Sequence, residues 1–300
     1  MTRLSSDKSI EEPLSVGLSS CAHFGVKITM QPVTPPRWPS AILIVVTAIL
    51  PIFAYAGMSP EEVQVFEEYK VKAQNGDAVA ECFVGYCYQN GNGVAQDFSK
   101  AVSWYRKSVT KGNASAQYNL GVCYAKGEGI EKSEAEALKW VRMAAEQGVA
   151  QAQSDLGYYY QIGKIVSKDL TKAALWYKKA AIQGIASAQT NLGICYAKGE
   201  GVAQDSVEAV YWYRKAAEQG NAFAQSNLGI CYFLGLGVKK DEIEGYAYSN
   251  LSAKSNDDSR KNLESLERMI APEIKLRGQE RARELQKEIE AKIAAKQAGK

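Results

Sequence analysis

Five glycines, Gly76, Gly112, Gly148, Gly184 and Gly220, stand 36 residues apart without drift, and the interval closed by the last two reads GIASAQTNLGICYAKGEGVAQDSVEAVYWYRKAAEQG. So strict a period marks a stacked-repeat protein. Each unit is then one supersecondary element that buries its apolar face only against the units before and after it. The 300-residue chain therefore has no single central core, and its length gives no domain count. The copies span 76–111, 112–147, 148–183, 184–219 and 220–255.

Each copy divides into two helices, A and B. In the second copy helix A runs over Ala114–Lys126, with Ala116, Leu120 and Tyr124 on one face at the spacing of an amphipathic helix. Gly127 follows, where a left-handed residue ends a helix without steric cost. Ser133 with Glu136 opens helix B, Asp205 with Glu208 and Asp241 with Glu244 repeat the pattern, and all three fit a capping box. Ala137, Trp140, Ala144 and Ala145 form its inward side. The predicted fold class is all-α, a solenoid of stacked helix-turn-helix repeats.

Columns of equivalent residues show what the repeat needs. Leu120, Leu156, Leu192 and Leu228, with Val84 in the first copy, each precede a glycine. A helical glycine costs about 1 kcal/mol relative to alanine, so its recurrence predicts close approach of helix B. Tyr88, Tyr124, Tyr160, Tyr196 and Tyr232 form a second column, and Trp104, Trp140, Trp176 and Trp212, ending on Tyr248, a third. Both are expected to pack between repeats, where truncating Trp140 or Trp176 to alanine costs about 3–5 kcal/mol. The third copy departs in its loop, Gly163-Lys164-Ile165, and in Tyr159, which replaces a cysteine shared by the other copies (Cys87, Cys123, Cys195, Cys231). That cysteine column is spaced at about 10 Å, the distance between packed helices, too far for disulfides. It reads as core filling.

Composition narrows the function classes. The charge is +3 with 36 basic and 33 acidic residues interspersed, which leaves no patch for nucleic acid. The single histidine, His23, precedes a processing signal, so hydrolytic triads and histidine metal sites are disfavoured. Neither a cofactor nor a metal is expected. Residues 1–29 are polar and unpatterned, and are expected to be disordered or untranslated, with Met30 the true start. Residues 30–56 carry Arg37, the apolar run 41–53 and Ala54-Tyr55-Ala56, the layout of a signal peptide. The alternative is an anchor that retains 41–53, the one case in which a membrane is a partner. Residues 59–75 read as an N-terminal cap helix. Residues 256–300 read as a closing cap helix and a charged tail helix whose Leu285, Ile289 and Ile293 share a stripe.

Ala188, Leu192, Gly193, Tyr196, Gly199, Gly201, Val202, Asp205, Glu208, Ala209, Trp212, Lys215, Ala216, Ala217 and Gly220 resemble the pattern of the Sel-one-like repeat family, a branch of the tetratricopeptide superfamily. The likeness runs from Gly76 to about Glu273. It implies a right-handed α-solenoid with C-terminal capping helices, acting as an adaptor for protein complexes in bacterial envelope or secretion pathways or in eukaryotic endoplasmic-reticulum quality control. Some cysteine-rich bacterial relatives are associated with β-lactam binding or hydrolysis. They carry a second cysteine where this chain has Ser108, Ala144, Ala180 and Ala216.

In tetratricopeptide folds the helix A residues turned away from helix B line a concave groove. By position these are Ser115, Tyr118, Val122, Tyr158, Ser187, Thr190, Ile194, Phe223, Ser226 and Ile230, beside a column of Asn119, Asn191 and Asn227. The row is neutral and mildly apolar, and suits a peptide or protein segment held by contact area. The asparagines are either a ladder for a bound backbone or bridges between repeats. Three functions follow: an exported, non-catalytic interaction scaffold in the periplasm or cell envelope; a membrane-tethered assembly factor; and an enzyme, disfavoured by the absent histidine and phosphate-loop motifs.

Overall fold

The computed structural model describes residues 59–298 other than Asn256; the expectations for 1–29 and 30–56 lie outside the described residues. Thirteen α-helices and no strand make up what is described. The first, α1 (Pro60–Gln74), starts at a reciprocal capping box in which Ser59 Oγ accepts from Glu62 N–H at 3.2 Å and Glu62 Oε2 accepts from Ser59 N–H at 3.1 Å. Five A/B pairs follow: α2 (Ala78–Asn90) with α3 (Phe98–Thr110), α4 (Ala114–Lys126) with α5 (Glu134–Glu146), α6 (Ala150–Ile162) with α7 (Leu170–Ile182), α8 (Ala186–Lys198) with α9 (Ser206–Ala217), and α10 (Ala222–Leu234) with α11 (Glu242–Ala253). Two more, α12 (Asp257–Glu267) and α13 (Pro272–Ala298), close the stack.

Local chemistry sets these boundaries. Every A helix of the five pairs stops at a left-handed glycine. Every B helix starts at an Asp or Ser whose side chain accepts from the first turn: Asp97, Ser133, Asp169, Asp205 and Asp241. Such a cap is worth about 1 kcal/mol. The glycine within helix A has the cause expected from its recurrence. A Cβ on Gly193 would stand 2.6 Å from the Tyr213 ring and 3.3 Å from the Ala209 carbonyl, so the A and B backbones meet at a distance only hydrogen permits.

Packing runs along the stack in linked clusters. In one, Ala173, Ala174, Tyr177, Ala180 and Ala181 of α7 meet Ala188, Leu192 and Cys195 of α8, and Trp212 of α9 closes over both. Trp176 and Trp140 bridge in the same way one and two repeats earlier, and Tyr248 takes that place in the last pair. One correction concerns rank. Trp104, Trp140 and Trp176 remain half-buried, whereas the residue after each is the one enclosed, as Tyr105, Val141 and Tyr177 show. A helix turns about 100° per residue, and that step carries the second residue onto the glycine of helix A. The five described cysteines are buried, and no disulfide joins them.

A further column escaped the sequence reading. Gln117, Gln153, Gln189 and Gln225 are all buried. Gln147, Gln183 and Gln219 donate to the first three at 2.7, 2.8 and 2.8 Å, and Gln153 and Gln189 donate to the Ala145 and Ala181 carbonyls at 3.1 and 3.0 Å. In the first copy Glu81 and Lys111 take these positions as an ion pair at 2.6 Å. Removing one partner of such a buried bond costs about 1–3 kcal/mol.

The tail helix is part of the stack. Ala282, Leu285 and Ile289 of α13 enter the cluster of α9, α10 and α11, Gly278 lies against the Tyr246 ring, and Arg281–Glu244 at 2.7 Å and Lys292–Glu218 at 2.9 Å pin the helix on two sides.

Candidate functional site

The inner stripe of the A helices is set by positions i, i+3, i+4 and i+7, which share one helical face. In α10 these are Phe223, Ser226, Asn227 and Ile230, with Leu234 one turn on; Phe223, Ile230 and Leu234 are 50%, 45% and 58% exposed. Further up the stack the stripe closes. Tyr118, Asn119, Val122 and Thr190, expected to line the groove, are buried. Their bonds show why: Tyr118 donates to Asp155 Oδ2 of the next repeat at 3.0 Å, Asn119 reaches Cys82 of the previous one at 3.8 Å, and Thr190 donates to the Ala186 carbonyl at 2.9 Å and to Asn221 at 3.2 Å. Ser115, Tyr158, Asn191 and Ile194 are half-buried and Ser187 is exposed. Asn191 hydrogen-bonds the Tyr177 hydroxyl. Of the three asparagines, two therefore bond within the chain.

At the open end the stripe leads into a cavity of about 290 Å³ between α10, α11 and α12. Its apolar wall is Ile230, Phe233, Leu234, Leu266 and Met269, and its polar wall includes Ser226, Ser249, Ser252, Asn262 and Ser265; no charged side chain lines it. Met269 is 70% exposed at the rim. The structure thus joins Ser226 and Ile230 from the sequence reading to residues of α11 and α12 that it missed. Those lie where the repeat pattern decays, so no column pointed to them.

Asp155 was also missed. It occupies the asparagine column in the third copy, between Asn119 and Asn191. Tyr118 donates to Oδ2 and Gln151 donates to Oδ1 at 3.1 Å. No cation pairs with it among the described residues. Loss of solvent pushes its carboxyl up to about 6 against the pull of the two hydrogen bonds. Burial, and then the charge of Asp155, hold the Tyr118 hydroxyl far above the ordinary tyrosine range. The column itself was the available signal, since one acid stands among amides.

Among the described residues no group of three or more His, Cys, Asp or Glu is placed to hold a metal ion, and none of their helices is long and apolar enough to cross a membrane.

Comparison with known families finds the Sel1 repeat model five times, at residues 78–113, 114–149, 150–185, 186–221 and 222–257. Each match starts two residues after the repeat boundary taken from the glycines. Among solved structures, the chain is similar to a Sel1 repeat protein from Oxalobacter formigenes, with 32% identity over 67% of this chain and 58% of that one and a TM-score of 0.59. It is also similar to c5321, described as a protective antigen present in uropathogenic Escherichia coli strains and displaying an SLR fold, with 26% identity over 79% of this chain and 59% of that one and a TM-score of 0.56. The chain thus spans less than two thirds of either relative. Comparison with curated proteins finds no match.

Proposed function

The chain belongs to the Sel1 repeat family, whose members generally mediate protein–protein interaction and are generally non-catalytic, and from that premise we propose that it is an adaptor holding a segment of a protein partner on its concave face. The segment enters at the C-terminal end and seats an aliphatic or aromatic side chain in the cavity of α10–α12. The observation that carries this reading is that cavity: apolar on one wall, hydroxyl-bearing on the other, free of charge, and continuous with exposed Phe223, Ile230 and Leu234. Burial of apolar side chains drives such binding, while serine and asparagine side chains are suited to bond the peptide backbone. Ser187, Asn191, Ile194 and Tyr158 continue the path; Ser115, Tyr118, Asn119, Val122 and Thr190 support it from beneath.

Export to the periplasm or cell envelope is part of the proposal and rests on the layout of residues 30–56. The same apolar run at 41–53 favours, as a second reading, a tethered assembly factor. A mature chain beginning at Gly57, read by mass spectrometry of the N-terminus, supports the first and excludes the second.

The binding proposal is tested by panning a random dodecapeptide library on the full chain. Selected peptides should carry an apolar anchor and weaken at least tenfold on the double variant Ile230→Asp, Met269→Asp. Both residues are exposed, so the fold tolerates the charges. Peptides that bind the double variant equally well refute the site.

A further inference from the structure

Of the side chains at the four inner-stripe positions of the five A helices, from Val79, Cys82, Phe83 and Tyr86 to Phe223, Ser226, Asn227 and Ile230, Asp155 is the one that is charged. Its residue is half-buried, as is Tyr158 one helical turn further on. A carboxylate offers about four acceptor positions. Tyr118 and Gln151 fill two of them, which leaves one on each oxygen. No lysine or arginine of the described residues reaches it.

Inside the chain the carboxylate accepts from two donors, one on each oxygen, but no opposite charge meets it, whereas Asn119, Asn191 and Asn227 fill the same column with a neutral side chain of the same shape. Keeping an ionised group where solvent is scarce opposes folding unless an opposite charge arrives. A carboxylate with no cationic partner, one helical turn from the half-buried Tyr158 ring, is suited to a cation, which gains from the ion pair and from a ring face.

We infer that Asp155 receives a lysine or arginine side chain of the bound segment, making the third repeat the position that selects among partners. This rests on the reading that a protein segment occupies the concave face. Asp155 and Asn227 share a column two repeats apart. At about 10 Å per repeat and about 3.3 Å per extended residue, the basic residue lies roughly six positions from the apolar anchor.

The same dodecapeptide library, panned in parallel on the full chain and on Asp155→Asn, tests this. Pools selected by the unaltered chain should be enriched at least threefold in Lys or Arg about six positions from an apolar residue. Pools selected by Asp155→Asn should keep the apolar residue and lose the basic one. A single selected peptide should weaken about tenfold on Asp155→Asn, about tenfold when its basic residue is changed to glutamine, and no further when both changes are combined. Absence of basic enrichment, or affinities within twofold on the two proteins, overturns the inference while leaving the cavity intact. Basic enrichment that depends on Asp155 but not on Ile230 and Met269 upholds it and overturns the cavity reading. Selection of no peptide by either protein overturns both. A melting temperature of Asp155→Asn at or above that of the unaltered chain confirms that lost binding is not lost folding.

Discussion

Replacing Gly193 by alanine sets two opposed effects against each other. In an exposed helix the change is stabilising by about 1 kcal/mol. Here the added methyl would lie 2.6 and 2.7 Å from two Tyr213 ring carbons and 3.3 Å from the Ala209 carbonyl, against an optimum of about 3.5–4.0 Å for carbon pairs. Relief requires the ring to retreat by about 1 Å. Tyr213 is 3% exposed and packed against Leu228 and Ala224 of the next repeat, so helix B must move and open the seam behind it. Overpacking of this kind costs about 1–3 kcal/mol, and with the propensity gain of about 1 kcal/mol set against it the net expectation is destabilisation by up to about 2 kcal/mol. Gly121 is the internal control. Val141 replaces the tyrosine there; its nearest methyl stands 3.0 Å away and the Ala137 carbonyl and Val141 nitrogen 3.2 Å away, milder than the 2.6 Å ring contact, so Gly121→Ala should cost less than Gly193→Ala. Urea unfolding followed by helical circular dichroism reads both. A double-mutant cycle sharpens the test, because Tyr213→Val removes what the methyl strikes and Gly193→Ala should then cost at least about 1 kcal/mol less. If Gly193→Ala is as stable as the unaltered chain, or the cycle is additive, close approach is not the reason for the glycine column.

Asp155 gives a pH signature. Its folded value of about 6 exceeds the unfolded value near 3.9, so the folded state holds the proton more tightly and stability falls as pH rises from about 4 to about 6. Two units correspond to about 3 kcal/mol; Asp155→Asn should therefore melt higher than the unaltered chain at pH 7.5 and lose that advantage at pH 4, and an advantage independent of pH in calorimetry contradicts the assignment. Among the tryptophans, Trp212→Ala should cost about 3–5 kcal/mol, because Trp212 is 9% exposed within its cluster. Trp176→Ala should cost less because that side chain is half-buried, and equal denaturation midpoints for the two would refute the ranking.

Much of the fold was legible because its causes are local and recur. Gly127 and Gly199 end their helices in the left-handed conformation and Ser133, Asp205 and Asp241 cap theirs, all from chemistry within a few residues. The columns told which residues pack, but not in what order of burial. Trp176 announces itself by size, yet Tyr177 beside it is the residue enclosed, and only the angle between two helices decides that. Buried glutamines were illegible for a related reason: Gln153 reads as surface until Gln183 and the Ala145 carbonyl are seen around it.

What the amino-acid sequence determined alone is the unit: its period, its two helices, their caps, and the glycine that lets them touch. Those follow from contacts within about 36 residues and repeat because the unit repeats. Which units can meet a partner was decided by the tertiary structure. Equivalent positions such as Val122 and Ile230 carry similar side chains, yet one is 7% and the other 45% exposed. The first is covered by the repeat that follows, whereas the last repeat has no such successor and meets α12 across a cavity. Exposure belongs to a residue's neighbours in space, and a periodic pattern holds no record of where the stack ends.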